Sequence, residues 1–335
     1  MNGESPPRPG DSAVPAQDGG PVVSVIMPVY NGARWLAAAV ESVLAQTLSP
    51  IELLIVDDAS TDDTVRIAEQ FAGRDARVQL LRQACNRGQA AARNLAIDRS
   101  RGVWIAPVDA DDEIRPDRLR LLAEAGERHQ ADLIADGILF RGTRPPGAPA
   151  ELMDWRSDGP DLELLSAETM ILSGTGGGRC SLGYLKPLMR RRFLEDRKLR
   201  YAEDLRFAED FNLYVHALFR GARFLLYPES HYVYWQTPSS ASRTEISRIA
   251  RHALAGSRRL RASIPSAGSP ALVTALDDYE QRWRLLCWFE QLKRGVTHRR
   301  YRQLVELLSS PPASARRILR FARDRARHRR QALRC

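Results

Sequence analysis

The sequence predicts an α/β protein with a doubly wound, mostly parallel sheet, followed by a helical C-terminal extension. Three observations predict it. Short apolar, β-branched runs alternate with segments of helical periodicity as far as about residue 130. Polar and mostly acidic residues follow several of these runs at once, where such sheets place their ligand-binding edge. From roughly Ser242 onward the pattern is helical and rich in arginine.

Residues 22–29, VVSVIMPV, are too short for a confident helix and fit a buried parallel strand. Tyr30-Asn31-Gly32 punctuates it. Trp35, Leu36, Ala39, Val40, Val43 and Leu44 then recur at helical spacing, and Gln46 to Pro50 ends that helix. Residues 51–56, IELLIV, give a second strand, closed by Asp57-Asp58-Ala59-Ser60. Ser60 or Thr61 is placed to cap the next helix, with acids in its first turn, and that helix runs through Phe71. Residues 77–82 make a third strand, Gln89 to Arg99 a helix, and 103–108, VWIAPV, a fourth strand. Past Asp112 a helix opens at Pro116 and reaches about His129. A strand follows at 132–140, a Pro- and Gly-rich loop at 141–160, and a helix near 161–172. The stretch Gly174 to Gly178 reads as a flexible loop, with a phosphate cradle as the competing reading.

Composition narrows the class. The 335 residues are 44% hydrophobic, a normal share for a globular protein, without an apolar run long enough to span a bilayer. The first twenty residues read as a disordered leader. The four cysteines, Cys85, Cys180, Cys287 and Cys335, form no CxxC pair or metal spacing, so reduced thiols in a cytosolic compartment are expected. The net charge is +9, but residues 312–335 hold nine arginines against one aspartate and carry nearly all of it. Such a tail suits a solvated helix end, an anionic membrane surface, an acidic partner or nucleic acid. No nucleic-acid motif accompanies it, so a nucleic-acid partner is not expected.

The sharpest local feature is Asp109-Ala110-Asp111-Asp112 after a strand. Alternate carboxylates on a tight turn can converge on one hard cation such as Mg²⁺ or Mn²⁺, which would hold a diphosphate. A calcium loop would need Gly at the sixth position and Glu at the twelfth. Here those are Ile114 and Arg120. A simple helix-capping turn remains the competing reading. Asp57-Asp58 could meet a ribose or a base N–H, or simply cap the turn. No GxGxxG follows the first strand, which weakens a dinucleotide-binding reading. Glu209-Asp210 opens a helix, either as ordinary N-terminal acids or as a general base facing an acceptor hydroxyl. Glu203-Asp204 repeats the same letters nearby.

The blocks VVSVIMPVYNGARWLAAAVESVLAQTL, IELLIVDDASTDDT, NRGQAAARNLAI and WIAPVDADDEIRPDRL, in this order and spacing, resemble glycosyltransferase family 2 over about residues 22–120. Residues 183–218 resemble the acceptor half of bacterial members. The resemblance implies a GT-A fold over residues 21–240, with nucleotide-sugar binding in 21–130 and the acceptor half in 131–240, ahead of the extension at 241–335. It also implies a nucleotide-sugar donor, usually UDP-linked, a divalent cation (Mn²⁺ or Mg²⁺) and inversion at the anomeric carbon. By resemblance Pro28 and Tyr30 pack against the base, Asp58 binds uracil, and Arg93 lies near the nucleotide. Asp109 and Asp111 match the DxD pair, with Asp111 the direct metal ligand and Asp109 nearer the ribose. Asp210 matches the catalytic base. HYVYWQTPSSAS resembles a closing loop in which Trp235 and Gln236 stand where an arginine is usual. His231 is either a further metal ligand or a packed histidine.

The expected acceptor is a glycan or lipid-linked sugar in cell-surface polysaccharide synthesis, at the inner face of the cytoplasmic membrane, where the basic tail would meet anionic lipid. A catalytically inactive scaffold of the same fold is the alternative. A sugar nucleotidyltransferase would want a Gly-rich, Arg-containing loop after the first strand, which Pro28 to Gly32 does not supply.

Overall fold

The computed structural model describes residues 20–142, 154–155, 161–174, 182–236, 246–264, 270–297, 308–309 and 312. The expected leader, most of the Pro- and Gly-rich loop, the glycine stretch past Gly174, the closing loop past Gln236 and all but Pro312 of the basic tail lie outside the described residues. The chain divides into two units, one of residues 1–166 and 184–238, the other of residues 167–183 and 239–335. The second unit thus takes in a segment, 167–183, that the sequence reading had assigned to the acceptor half.

In the first unit the apolar runs become β1 (Val23–Val29), β2 (Ile51–Asp57), β3 (Val78–Arg82) and β4 (Trp104–Pro107). All seven residues of β2 are buried, as a strand covered on both faces requires. Between them run α1 (Leu36–Leu44), α2 (Thr64–Arg74) and α3 (Gln89–Arg99). Leu36, Ala39, Val40 and Val43 form the buried stripe of α1 at helical spacing. In α3 nearly every residue from Ala90 to Ile97 is buried, and four alanines let its backbone approach the sheet closely. Neither Ser60 nor Thr61 caps α2. Asp63 occupies the N-cap position, and the Asp62 carboxylate accepts the Thr64 amide at 3.0 Å.

The chain continues through β5 (Glu113–Ile114), α4 (Arg118–Arg128), β6 (Leu133–Gly142), β7 (Asp154–Trp155) and β8 (Glu163–Leu165). After α5 (Ala167–Ser173) come β9 (Leu188–Arg190), α6 (Arg191–Asp196), α7 (Glu209–Phe219) and β10 (Phe224–Gln236). The helix expected near 161–172 is therefore a strand followed by a shorter helix, because Glu163–Leu165 pairs with β10. The sheet order is β3-β2-β1-β4-β9-β6-β10-β5, with β7 on β6 and β8 on β10. β1 to β4, β6 and β10 run the same way, and β9 enters antiparallel between β4 and β6. The core is anchored by Trp104, fully buried, whose indole N–H donates to Glu127 at 3.0 Å.

The second unit holds α5, α8 (Ile246–Ala262) and α9 (Pro270–Thr297). Ser257 and Arg261 of α8 meet Glu280 of α9, the hydroxyl at 3.1 Å and the guanidinium at 3.2 Å. Among the described residues no helix is long and apolar enough to cross a membrane.

Candidate active site

The parallel register brings the ends of β1, β2 and β4 to one sheet edge, with Val29 beside Asp57 and Ile26 beside Pro107. Pro28 is half-buried at the end of β1, and Tyr30, just past it, is 52% exposed. Asn31 sits at φ 51°, a turn conformation that asparagine tolerates. Its amide donates to Ser60 at 2.9 Å and its side-chain oxygen accepts the Thr61 amide at 2.8 Å, stitching the loops after β1 and β2 together.

Asp58 is buried, and its two carboxylate oxygens accept the backbone amides of Arg87 and Gly88, each at 2.7 Å. It thereby braces the turn that enters α3. That turn needs glycine, because Gly88 has φ 91°, a conformation that residues with a side chain rarely adopt.

The acids past β4 do three different things. Asp109 turns its oxygens inward, Oδ1 to Arg93 at 2.6 Å and Oδ2 to Lys186 at 2.9 Å. Asp112 is fully buried and holds β10, accepting the Tyr232 hydroxyl at 2.7 Å and the Trp235 amide at 2.9 Å. The Tyr232 oxygen in turn accepts the Asp109 amide at 3.2 Å. Asp111, half-buried between them, forms no salt bridge among the described residues, and Lys186 is the cation whose charge it feels. Burial, and then the charge of Asp109, push its carboxyl up to about 6.

On the far side α7 starts after Ala208, held at φ 60°. That left-handed residue turns the chain so that Glu209 and Asp210 enter the first helical turn buried. Arg93, 1% exposed, reaches both of them, Glu209 at 2.9 Å and Asp210 at 3.0 Å. Lys186 meets the other Asp210 oxygen at 2.8 Å. Asp109 and Asp210, distant in sequence, are therefore joined through the same two cations. Burial works against the Lys186 ammonium, yet Asp109 and Asp210 outweigh it and hold it above the usual lysine range. Burial and the neighbouring Asp210 push Glu209 up.

Of the residues singled out from sequence, Arg93 thus meets both Asp109 and Asp210, with Asp111 beside Asp109. Pro28, Tyr30 and Asp58 lie on the same sheet edge. Arg93 is a buried link between the acids. Glu203 instead binds Arg87 at 2.8 Å and Asn94 at 3.2 Å. His231 takes its contacts from Asp136, which accepts its backbone amide at 2.8 Å, from Glu229 at 3.3 Å and from the Tyr227 ring. Burial lowers its pKa. Sequence reasoning missed Lys186. The one available signal was a lone lysine inside the otherwise uncharged run GYLKPLM.

Among the described residues no cluster of three or more His, Cys, Asp or Glu side chains is arranged to hold a metal ion. The donor set nevertheless suits a cation brought in with a diphosphate. Mg²⁺-type ions bind through one or two carboxylates plus substrate phosphate oxygens. Asp111 supplies one such carboxylate, in no salt bridge among the described residues, while both Asp109 oxygens are engaged by cations.

Residues 24–174 match Glycosyl transferase family 2. The succinoglycan biosynthesis protein ExoO of Rhizobium meliloti (strain 1021) is 36% identical over 68% of this chain, and ExoU of the same organism is 39% identical over 60%. The chain spans less than two thirds of the length of these relatives, 65% of ExoO and 58% of ExoU. Among solved structures, S. aureus TarS 1-349 in complex with UDP-GlcNAc superposes with a TM-score of 0.60 at 19% identity, covering 85% of this chain and 79% of that one. The mannosyltransferase PcManGT from Pyrobaculum calidifontis, in complex with GDP-Man and Mn²⁺, does so at 0.58 and 18%, covering 93% and 82%. At these identities the two structures bear on the fold alone. With the polar ends of its parallel strands gathered on one sheet edge, as the topology predicted, residues 24–174 of the chain are a glycosyltransferase family 2 domain.

Proposed function

We propose that this protein transfers a sugar from a nucleotide-sugar donor, UDP-linked, to an acceptor hydroxyl with inversion at the anomeric carbon. The observation that carries the reading is the pairing of Asp109 and Asp210 across Arg93 and Lys186. It supports a donor-side acid and a helix-borne acid serving one reacting centre.

In this reading Tyr30 offers its exposed ring to the base and Asp58 fixes the loop beneath it. Asp109 lies on the ribose side of the donor, its two oxygens held by Arg93 and Lys186. The acceptor oxygen attacks C1 of the sugar while its proton passes to a carboxylate oxygen of Asp210, and the C1–O bond to the diphosphate breaks. A divalent cation, held by Asp111 and the diphosphate oxygens, would supply neutralisation of the leaving group's charge. No covalent enzyme intermediate is invoked.

The acceptor we propose is a growing surface polysaccharide or its lipid-linked precursor, consistent with the names of the curated relatives. The arginine-rich residues 312–335 would then hold the protein at the cytoplasmic face of the membrane through anionic lipid, at about 1 kcal/mol per basic residue near the surface.

The test is a donor screen. UDP-, GDP- and dTDP-sugars are assayed for Mn²⁺-dependent nucleotide release with and without acceptor, and Asp210→Asn is run in parallel. Metal-dependent release from a UDP-sugar that Asp210→Asn abolishes, with UDP binding retained, is expected. Near-normal turnover by that variant would refute the assignment.

A further inference from the structure

Lys186 links the two acids of the scheme above but takes no chemical step of its own in it. Its side chain is 6% exposed. Its own carbonyl accepts the buried Arg118 guanidinium at 2.5 Å, and the preceding carbonyl, of Leu185, accepts the Tyr214 hydroxyl at 2.8 Å. The backbone on either side is therefore fixed before the ammonium makes any contact.

The contacts it then makes complete a closed ring of charges. Asp109 gives Oδ1 to Arg93 and Oδ2 to Lys186. Asp210 also gives Oδ1 to Arg93 and Oδ2 to Lys186. Each carboxylate is thus held by both oxygens, so neither can turn about its terminal torsion, which is otherwise broad. Without Lys186 each would hang from Arg93 by a single oxygen, free to rotate its second one out of line.

We propose that Lys186 is a positioning residue, which fixes the plane of the Asp210 carboxylate relative to Asp109 so that the proton-accepting oxygen faces the acceptor hydroxyl. The proposal rests on the reading of Asp210 as the base. It separates Lys186 from an ordinary structural lysine, because only the chemical step should depend on the plane of one carboxylate. A displaced general base forfeits much of a contribution that is typically 10²–10⁴-fold.

The experiment compares Lys186→Met, Lys186→Gln and Lys186→Arg with Asp210→Asn. Each is measured for UDP binding with Mn²⁺, and for kcat and donor KM with the UDP-sugar that the donor screen selects. For Lys186→Met and Lys186→Gln a fall in kcat of about 10²-fold is expected, with UDP affinity and donor KM within about threefold of the parent. Lys186→Arg, which keeps a cation there, should recover at least about tenfold of that loss. If Lys186→Met does not fold, Lys186→Gln carries the same thresholds.

Parent-like kcat in folded Lys186→Met or Lys186→Gln overturns the proposal, as does UDP affinity lost in step with kcat. Retained turnover in Asp210→Asn defeats the reading of the base itself. An inactive Asp210→Asn beside a fully active Lys186→Gln defeats only the role given to Lys186.

Discussion

Asp136→Ala should destabilise the first unit severely. Asp136 and Arg118 are both fully buried and joined by three hydrogen bonds, at 3.0, 3.2 and 2.8 Å. The same carboxylate accepts the His231 amide, and Arg118 lies over the Tyr232 ring at 5.1 Å. Removing the carboxylate leaves a guanidinium in the core without a counter-charge, a change that typically costs about 3–5 kcal/mol. For a unit of roughly 200 residues each kcal/mol moves the melting temperature by about 2–4 °C, so a drop of about 6–20 °C follows. The pair itself need not be strongly stabilising. Arg118→Met/Asp136→Leu, which removes both charges, should recover more than half of the loss. Differential scanning calorimetry at neutral pH follows the transition of this unit. A shift under about 2 °C for Asp136→Ala, or a double variant no better than the single one, would refute the reasoning.

Asp111→Asn should lower turnover on the order of 10²-fold or more and abolish the added thermal stability that UDP gives only with Mn²⁺, read by a melting assay with and without metal. Gly102→Ala should cost about 1–3 kcal/mol, because its Cβ would sit 2.5 Å from the Ser24 backbone nitrogen, and denaturant titration would register it. Glu52 supplies a pH test. Burial opposes its charge, but hydrogen bonds from Ser24 and Arg101 hold its carboxyl below the usual range. Its contribution is therefore full above its unfolded pKa of about 4.3 and is lost as pH falls through the lower folded value. The melting-temperature gap between the parent and Glu52→Gln should be widest near neutral pH and close toward pH 3. A gap that widens in acid would contradict the assigned sign.

The first half of the fold was legible because its strands are buried on both faces. A run such as IELLIVD admits almost no polar residue, and its ends are marked by the acids that follow. The region after Asp112 was harder. β5 has two residues, and β8 and β9 three each, and all three are defined by pairing with strands far away in sequence. Periodicity has no purchase on so few residues. The site divides the same way. Asp58, Asp109, Asp111 and Asp210 could be singled out because each follows a strand or opens a helix in a motif. Lys186, Arg118 and Asp136 belong to no motif, and their importance lies in pairings that only the folded chain creates. Arg93 was placed near the nucleotide by resemblance, whereas its inward reach to Glu209 and Asp210 is a property of a helix buried on nearly all sides.

Because the Tyr232 hydroxyl bridges the Asp109 amide and the Asp112 carboxylate, the loop after β4 and the end of β10 move as one piece. An engineer who transplanted that loop from another enzyme, hoping to change which sugar is used, would sever the link unless the matching tyrosine came along. The loop after β4 is therefore portable only as a two-segment graft.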